Sequence, residues 1–164
     1  MPSNATKKTA WAHKNLPKIG RSLRGLAIVG CILAAFILLF HGHSHPPSTT
    51  LRLAGRVFTL DVARTPAAQA KGLGGRTFLP DDGGMLFVFA SPLAPRCFWM
   101  KGMNFSLDMV WLDAQKQVVH IAQNVPPASF PTTFCAHQPS QYVIELRSGQ
   151  VARTNITIGQ KLHF

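Results

Sequence analysis

The residues best suited by type to do chemistry lie in residues 97–113, where a few ionisable side chains are set into an apolar run. Lys101 and Asp108 are the polar residues set deepest among the Trp, Phe and Met side chains of this stretch. A buried charge must be paired or must shift its pKa. Two interpretations therefore stay open: a structural ion pair or surface lysine, and an anchor for an acidic or polar ligand beside a wall of Trp99 and Met100.

Alternation of side chains along a strand predicts how a ligand site at Trp99 and Lys101 would be arranged. Phe98 and Met100 would point to one face, while Trp99 and Lys101 would point to the other, so that an indole ring and an ammonium lie side by side. This pairing suits planar or anionic ligands. We expect Trp99, Met100 and Lys101 to form one wall of the principal pocket, with a carboxylate holding the ammonium. The carboxylate that holds the Lys101 ammonium is expected to be that of Asp108 or Glu145. The ligand-binding candidates are Arg76, Trp99, Met100, Lys101, Asn104, Asp108 and Glu145.

Two cysteines, Cys97 and Cys135, lie outside the apolar N-terminal segment. Outside the cytoplasm such a pair is first interpreted as a disulfide, which would stabilise the fold by about 4 kcal/mol in the chain-entropy model. The alternative is a metal site that adds His120 and His137 to the two thiolates. Because Cys-x-His is not the usual spacing of a zinc knuckle, the disulfide is favoured.

Other metal and catalytic motifs are weak. His41, His43 and His45 alternate and could converge on a metal, but no carboxylate or cysteine lies nearby to complete the site. The pair Asp81-Asp82 is typical of a turn. A phosphate-binding glycine loop, a nucleophile elbow and a His-Glu-x-x-His motif are all missing from the sequence. We therefore expect no cofactor, and the sequence names no catalytic residue.

The N-terminal part of the chain predicts a membrane anchor. Residues 1–24 carry six basic side chains and no acid, and the uncharged apolar run Gly25–Phe40 follows. As a helix this run is about 24 Å long, somewhat short of a hydrocarbon core of about 30 Å, and the basic residues before it place the tail in the cytoplasm. The sequence thus predicts a basic cytoplasmic tail at 1–24, a transmembrane signal anchor at 25–41, a His/Pro-rich linker at 42–50 and an exported domain at 51–164.

Two alternatives for the apolar segment stay open. A cleaved signal peptide could use the small residues of Gly42-His43-Ser44, and a lipoprotein signal would be cut before Cys31, although the apolar run continues past that residue. The anchor is the favoured interpretation. It puts the protein in the inner (plasma) membrane with a single span and the C-terminal domain in the periplasm.

The net charge of +11 suggests nucleic acid at first sight, but its distribution argues against it. Six of the 17 basic residues belong to the tail, which leaves 11 basic against 6 acidic side chains from residue 51 onward. Roughly half of the excess charge, six of eleven, therefore belongs to a tail and not to a binding face. We expect no nucleic-acid partner; the expected partners are the membrane and an unknown small molecule, glycan or envelope protein.

Short apolar segments separated by turn signals predict a mainly β (α+β) domain, a compact antiparallel sheet curled into a small barrel with one or two short helices. Thr65-Pro66 opens one helix and Gly72 ends it. In the segment Tyr142–Arg147, alternation predicts that Val143, Glu145 and Arg147 face outward. The expected strands are Leu51–Leu53, Arg56–Ala63, Met85–Phe89, Leu107–Leu112, Gln117–Gln123, Tyr142–Arg147 and Lys161–Phe164, and the expected helices are Pro66–Lys71 and one turn within Ser148–Asn155.

Several motifs resemble, in order and spacing, those of the prokaryotic family called domain of unknown function 192. The resemblance covers about residues 51–164 and implies a small β-rich domain, often exported or membrane-tethered, with no established activity. The motifs are Gly72-Leu73 with Arg76, Gly84-Met85-Leu86-Phe87-Val88-Phe89, Phe98-Trp99-Met100-Lys101, Leu107-Asp108, and Tyr142-Val143-Ile144-Glu145-Leu146 followed by Gly149.

The chain departs from the family's usual pattern in three places. The family usually has Arg-Gly-Leu-Met where this chain has Lys71-Gly72-Leu73-Gly74, and Asn-Thr where it has Gly102-Met103. The proline usual before Leu-Asp is Ser106 here. If the Asn and Thr shape a polar pocket in the family, that pocket is altered in this chain.

These observations predict a non-catalytic, membrane-anchored module of the cell envelope that binds a ligand or a partner. The alternative is an envelope hydrolase or other enzyme whose site lies around Lys101, Arg76, Asp108 and Glu145. Convergence of those four side chains on one cleft would favour a site, and scattered placement would favour a module.

Overall fold

The structure is a computed structural model that describes residues 46–91 and 95–164. The predicted basic tail, signal anchor and histidines His41, His43 and His45 lie outside the described residues. Across the two described ranges, no helix has both the length and the apolar character that a membrane crossing needs.

The described residues form a mainly β domain with two short helices, which confirms that part of the predicted fold class. A 3-10 turn at Pro127–Ser129 and strand β7 lie between β6 and β8, where the sequence predicts neither a strand nor a helix. The strands are β1 (Ser48–Leu53), β2 (Arg56–Ala63), β3 (Gly83–Val88), β4 (Cys97–Trp99), β5 (Leu107–Leu112), β6 (Val118–Val125), β7 (Thr133–Cys135) and β8 (Tyr142–Arg147), and the helices are α1 (Pro66–Lys71) and α2 (Gln150–Thr154).

Six strands make one sheet in the order β1-β2-β3-β8-β5-β6, and β4 pairs with β7 in a separate two-stranded sheet. Neighbours are antiparallel except β2 and β3, which are parallel and joined by a crossover that contains α1. The large sheet is open, so the predicted barrel is wrong. Closure requires the two edge strands to pair, but β1 and β6 lie at opposite edges. The predicted last strand Lys161–Phe164 is reduced to one bridge between Gln117 and Lys161.

The first hairpin forms as the sequence predicts, but it starts earlier. Ala54 and Gly55 turn the chain with positive φ angles of 47° and 76°. Residues 48–50, predicted as linker, belong to β1, where Ser48 pairs with Asp61 of β2. The pair of threonines in this segment is β-branched and therefore suits an edge strand.

Both faces of the six-stranded sheet are covered by other parts of the chain. The α2 face carries a buried cluster beneath α2 and the C-terminal segment. The β4 face carries a second cluster beneath β4 and the loop that follows α1. The side chains that define them include Leu86, Val110, Ile144 and Val151 on the α2 face, and Leu73, Met85, Phe87, Met109 and Val143 on the β4 face.

This double coverage corrects the interpretation of β8. Val143 is 0% exposed and Glu145 is 4% exposed, so the predicted outward orientation of these two residues to solvent is wrong. Alternation along a strand separates the two faces. Alternation alone cannot predict whether segments distant in sequence cover the second face of the sheet. In this domain they cover it.

Candidate functional site

An open pocket of about 840 Å³ lies on the β4 face. Helix α1 and the residues after it form one side, β4 and its neighbours form the other, and β3 and β8 provide the floor. The lining is mainly apolar with a few ionisable groups, the composition that small-molecule sites share. The apolar lining includes Leu73, Phe87, Phe89, Phe98, Trp99 and Met103, and the ionisable lining consists of Lys71, Arg96, Lys101 and Glu145.

Local sequence signals build the α1 side of the pocket. The Thr65 hydroxyl accepts a hydrogen bond from the Ala68 N–H at 3.2 Å, which caps the helix as predicted. The Gln69 side-chain amide donates to the Val88 carbonyl at 2.8 Å and ties the helix to β3. At Gly72, φ is 51° and an added Cβ would lie 3.4 Å from the Phe87 ring, so a glycine lets the chain turn closely over the pocket floor.

A disulfide between Cys97 and Cys135 holds the β4 side in place. The two cysteines are directly paired across β4 and β7, and Cys97 also lines the pocket. The predicted disulfide is confirmed. The alternative metal site with His120 and His137 is wrong, because the two sulfurs are bonded to each other, and the described residues contain no metal-binding group of three or more His, Cys, Asp or Glu side chains.

The side chains of β4 alternate as the sequence predicts. The Phe98 ring points inward and makes edge contacts with Phe87, at 4.8 Å between centroids, and with Trp111 at 6.0 Å. Trp99 points outward and is 50% exposed. The Lys101 ammonium lies 5.5 Å from the centroid of the Trp99 ring, so the expected indole and ammonium are neighbours.

Met100 occupies a different place from the one expected. Its side chain is buried in the core of the β4 face, beneath the pocket wall, and Met103 takes the place in the lining. Met100 lies two residues after Phe98 and, like Phe98, points toward the protein interior. It supports the wall but does not form its surface.

Glu145 lies at the floor of the pocket between two methionines. In the registers of β8 with its neighbours, Met85 of β3 and Met109 of β5 are its partners. Gly84 makes this arrangement possible, because a Cβ there would lie 2.6 Å from the Glu145 carbonyl oxygen. Among the described residues, no group donates a hydrogen bond to the Glu145 carboxylate and no cation forms an ion pair with it.

Burial without a partner sets the protonation of this carboxyl group. Desolvation raises the pKa of Glu145 from 4.5 to about 8, and the positive charge of Arg76 lowers it by a smaller amount. A carboxyl group with this pKa is largely neutral at pH 7. It then offers an O–H donor as well as a carbonyl acceptor.

Arg76 and Asn104 do not belong to the pocket lining. The Arg76 guanidinium pairs with Asp61 of β2 at 2.6 Å, and the Asn104 amide donates to the Arg76 carbonyl at 2.8 Å. Asp61 pairs with Met85, and Met85 pairs with Glu145, so the three side chains lie in one row on the β4 face. Sequence reasoning missed Asp61 as a site residue, because the apolar side chains Phe58, Leu60 and Val62 of β2 mark the other face of the sheet as the core.

Arg96 is a second residue that sequence reasoning missed. Its guanidinium lies 4.2 Å from the centroid of the Phe89 ring and donates to the Ser91 carbonyl at 2.7 Å. Its carbonyl oxygen accepts a hydrogen bond from the Trp111 indole at 2.8 Å. The only signal in the sequence is its place directly before Cys97 and Phe98, at the start of the wall.

Asp108 lies on the opposite face of the sheet from the pocket. It is 0% exposed, and its two oxygens accept hydrogen bonds from the backbone N–H groups of Asn124 and Val151, each at 2.8 Å. The expected contact of Lys101 with Asp108 or Glu145 is not found, because within the described residues the Lys101 ammonium has no ion pair. Of the four side chains named for an enzyme site, the pocket lining contains two, Lys101 and Glu145.

Comparison with known proteins identifies the domain at the level of a family. Residues 49–164 match the family model of DUF192, the domain of unknown function 192, described as an uncharacterized ACR. The chain belongs to the DUF192 family. No curated protein matches the chain.

Two solved structures resemble this DUF192 domain. A proposed transcription regulator from Sinorhizobium meliloti is 28% identical with a TM-score of 0.68, and the match covers 74% of this chain and 97% of that one. A protein of unknown function from Novosphingobium aromaticivorans is 32% identical with a TM-score of 0.65, and the match covers 76% of this chain and 90% of that one.

Two of the three departures from the usual DUF192 pattern lie at the pocket, and the third, Ser106, is outside its lining. Gly74, Gly102 and Met103 all belong to its lining. Where the family usually carries Met, Asn and Thr, this chain presents two glycines and a thioether. The wall of this pocket is therefore less polar than the family pattern implies.

Proposed function

We propose that this DUF192 domain is a non-catalytic binding module and that its pocket takes a small molecule with a planar apolar body. The observation that carries the proposal is the pocket itself, whose floor and walls combine the aromatic side chains Phe87, Phe89, Phe98 and Trp99 with a few polar groups. Its volume of about 840 Å³ lies within the range of small-molecule sites. This favours a small molecule over a glycan chain or an envelope protein.

The geometry supports a module more than an enzyme. The Asp108 carboxylate of the alternative enzyme site is used by two backbone N–H groups on the α2 face. Arg76 is occupied by Asp61. Lys101 and Glu145 remain in the pocket, and within the described residues no hydrogen bond or ion pair joins them as a nucleophile and base would be joined.

The proposal includes attachment to the outer side of the cytoplasmic membrane. The basic tail and apolar run at residues 1–41 support it, and a disulfide is typical of a domain outside the cytoplasm. An alkaline phosphatase fused after Phe164 should be active, and a reporter that needs the cytoplasm should be inactive at the same position. The reverse pattern would contradict the proposed topology.

Binding can be tested on residues 46–164 without the N-terminal segment. The match to the Sinorhizobium structure covers 97% of that chain, so a chain that is almost wholly this domain folds and crystallises by itself. The probe is N-phenyl-1-naphthylamine, a neutral molecule of two planar aromatic groups whose fluorescence rises in an apolar site. We expect saturable binding.

Two substitutions on α1 locate the probe. Ala70 lines the pocket, whereas Ala67 is exposed on the same helix and outside the lining. Ala70→Trp should fill the pocket and lower the affinity at least about tenfold, and the matched control Ala67→Trp should leave it within about twofold. No binding at all, or equal binding by both variants, would contradict the proposal. A DNA duplex serves as a further probe, because one structural neighbour is described as a proposed transcription regulator, and no binding to it is expected.

A further inference from the structure

We propose that the ligand is a small acid, an apolar planar body bearing one oxyanion, and that Glu145 meets this oxyanion as a hydrogen-bond donor. The inference rests on the proposed function and names the ligand class for the same pocket. It assigns a role to Glu145, the carboxyl group of the pocket lining, which has no hydrogen bond or ion pair among the described residues.

The first support is the state of the Glu145 side chain. It is 96% shielded from solvent, lines the pocket, and has neither a hydrogen bond nor an ion pair among the described residues. The carboxyl oxygens keep contact with the open pocket and are not among the described buried atoms that have no partner. A ligand that fills the pocket removes water from these oxygens and must replace its hydrogen bonds, and the neutral carboxyl group has an O–H to donate to an acceptor on that ligand.

The second support is the charge around this carboxyl group. The strands on either side of β8 present methionines to it, and the other elements that pack on the β4 face present mainly cations. The pocket lining itself has three basic side chains and one acidic side chain, so an oxyanion is favoured there and an amine is disfavoured. The titratable groups that face Glu145 from these elements are Asp61 with Arg76, Lys71, Arg96, Lys101 and, in the next row beyond Trp111, His120.

Lys101 provides the countercharge for the proposed oxyanion. Its ammonium lies beside the Trp99 ring in the same pocket and is not used by an ion pair among the described residues. A planar body that packs on the aromatic wall is therefore close to a cation on a flexible side chain. Glu145 in the neutral form adds a donor without adding the negative charge that would repel the ligand.

This arrangement couples ligand binding to a proton. Below about pH 8, Glu145 already carries the proton, and binding should depend little on pH. Above that value the carboxyl group must take up a proton from water when the oxyanion binds, so the apparent affinity should fall by up to about tenfold per pH unit. At pH 8 roughly half a proton should be taken up per ligand bound.

The experiment compares two probes with the same rings. 8-Anilino-1-naphthalenesulfonate is N-phenyl-1-naphthylamine with a sulfonate added, and the sulfonate stays ionised at every pH of the assay. We expect the affinity of residues 46–164 for the sulfonate probe to fall about tenfold between pH 7 and pH 9, while the affinity for the neutral probe changes less than about threefold. Calorimetry in two buffers of different ionisation enthalpy measures the proton uptake.

Three variants assign the effect to Glu145. Glu145→Gln keeps a donor that does not titrate, so the ratio of affinities for the sulfonate probe at pH 7 and pH 9 should approach one. Glu145→Met removes the donor and should weaken the sulfonate probe at pH 7 at least about fivefold more than the neutral probe. Asp81→Asn alters an exposed carboxylate outside the pocket and should keep the wild-type pH profile.

The outcomes separate the two proposals. If neither probe binds, or if Ala70→Trp does not lower the affinity for the probes, the proposed function fails and the inference fails with it. If the neutral probe binds in the pocket but the sulfonate probe shows no loss of affinity from pH 7 to pH 9, the inference alone is overturned. The same conclusion follows if Glu145→Gln loses as much affinity over that interval as the wild type.

Discussion

Two buried carboxyl groups on adjacent strands of this sheet have opposite surroundings. Asp108 of β5 pairs with Leu146, and the next residue, Met109, pairs with Glu145 of β8, so the two acids are diagonal neighbours on opposite faces. Asp108 has one backbone N–H at 2.8 Å for each of its oxygens. Glu145 has no partner among the described residues and opens into a pocket.

The comparison shows that burial alone does not separate a structural acid from a candidate binding group. Both acids are nearly inaccessible, at 0% and 4% exposure. What differs is whether the fold itself satisfies the oxygens. Asp108 connects β6 and α2 to β5 through its two hydrogen bonds. Glu145 makes no such connection, and its charged form is disfavoured by desolvation. We propose that a ligand in the pocket supplies the hydrogen bonds that the fold does not give to Glu145.

The largest expected effect is at Asp108. In Asp108→Ala, the buried N–H of Val151 and the part-buried N–H of Asn124 lose their acceptor, and a buried unsatisfied donor costs about 1–3 kcal/mol. Because water can still reach the Asn124 N–H, we expect the free energy of unfolding in urea to fall by about 2–4 kcal/mol. A loss below about 1 kcal/mol would remove the structural half of the comparison.

The next effect is the pH dependence of stability from Glu145. Its pKa is about 8 in the folded domain and 4.5 ordinarily, so the folded state keeps a proton that the unfolded state releases. The contribution of the protonated Glu145 to the free energy of unfolding is therefore fully present below about pH 4.5. It is lost as the pH rises toward 8, at up to about 1.4 kcal/mol per pH unit.

Glu145→Gln should remove this loss. The difference in free energy of unfolding between variant and wild type should grow by up to about 3 kcal/mol from pH 4.5 to pH 7, in favour of the variant. Asp81→Asn is the control, because Asp81 is an exposed carboxylate that pairs with Arg147. A difference that does not change with pH would mean that Glu145 ionises normally in the folded state.

The smallest expected change in stability is at Trp99. Because this side chain is half exposed and contacts Phe130 at 5.7 Å between ring centroids, Trp99→Ala should cost less than about 1 kcal/mol. The affinity for N-phenyl-1-naphthylamine should nevertheless fall about three- to tenfold, because an aromatic contact contributes about 0.5–1.5 kcal/mol. Phe78→Ala removes an exposed ring outside the pocket and is the matched control. Equal effects of the two substitutions on affinity would exclude Trp99 from the site.

Local signals account for the parts of the site that the sequence predicts. Thr65, Pro66 and Gly72 mark the ends of α1 through capping chemistry that acts within a few residues. Alternation in β4 directs Phe98 inward and Trp99 outward, and Lys101, two residues after the end of the strand, lies beside the Trp99 ring. The cysteine pair predicts the disulfide, because two cysteines in an exported domain are first interpreted as a bridge.

The parts that the sequence does not predict depend on contacts between distant segments. Glu145 is buried because the β4–β7 pair and the loop after α1 cover its face of the sheet, and no pattern within β8 reports that coverage. Asp61 joins Arg76 near the site because β2 and β3 are parallel neighbours. The open sheet follows in the same way from which strands meet at the edges, a property of the whole chain.

The most direct test of this account is a carbon-13 NMR titration of the Glu145 carboxyl group. Glu145 is the only glutamate in the sequence, so glutamate labelled at the side-chain carboxyl carbon gives one titrating signal. We expect a midpoint near pH 8 for the free domain, far above 4.5. Saturation with 8-anilino-1-naphthalenesulfonate should raise the midpoint by about one unit or more, because the bound anion favours the protonated form. A midpoint near 4.5, or one that the sulfonate probe leaves unchanged while it occupies the pocket, would contradict the central claim.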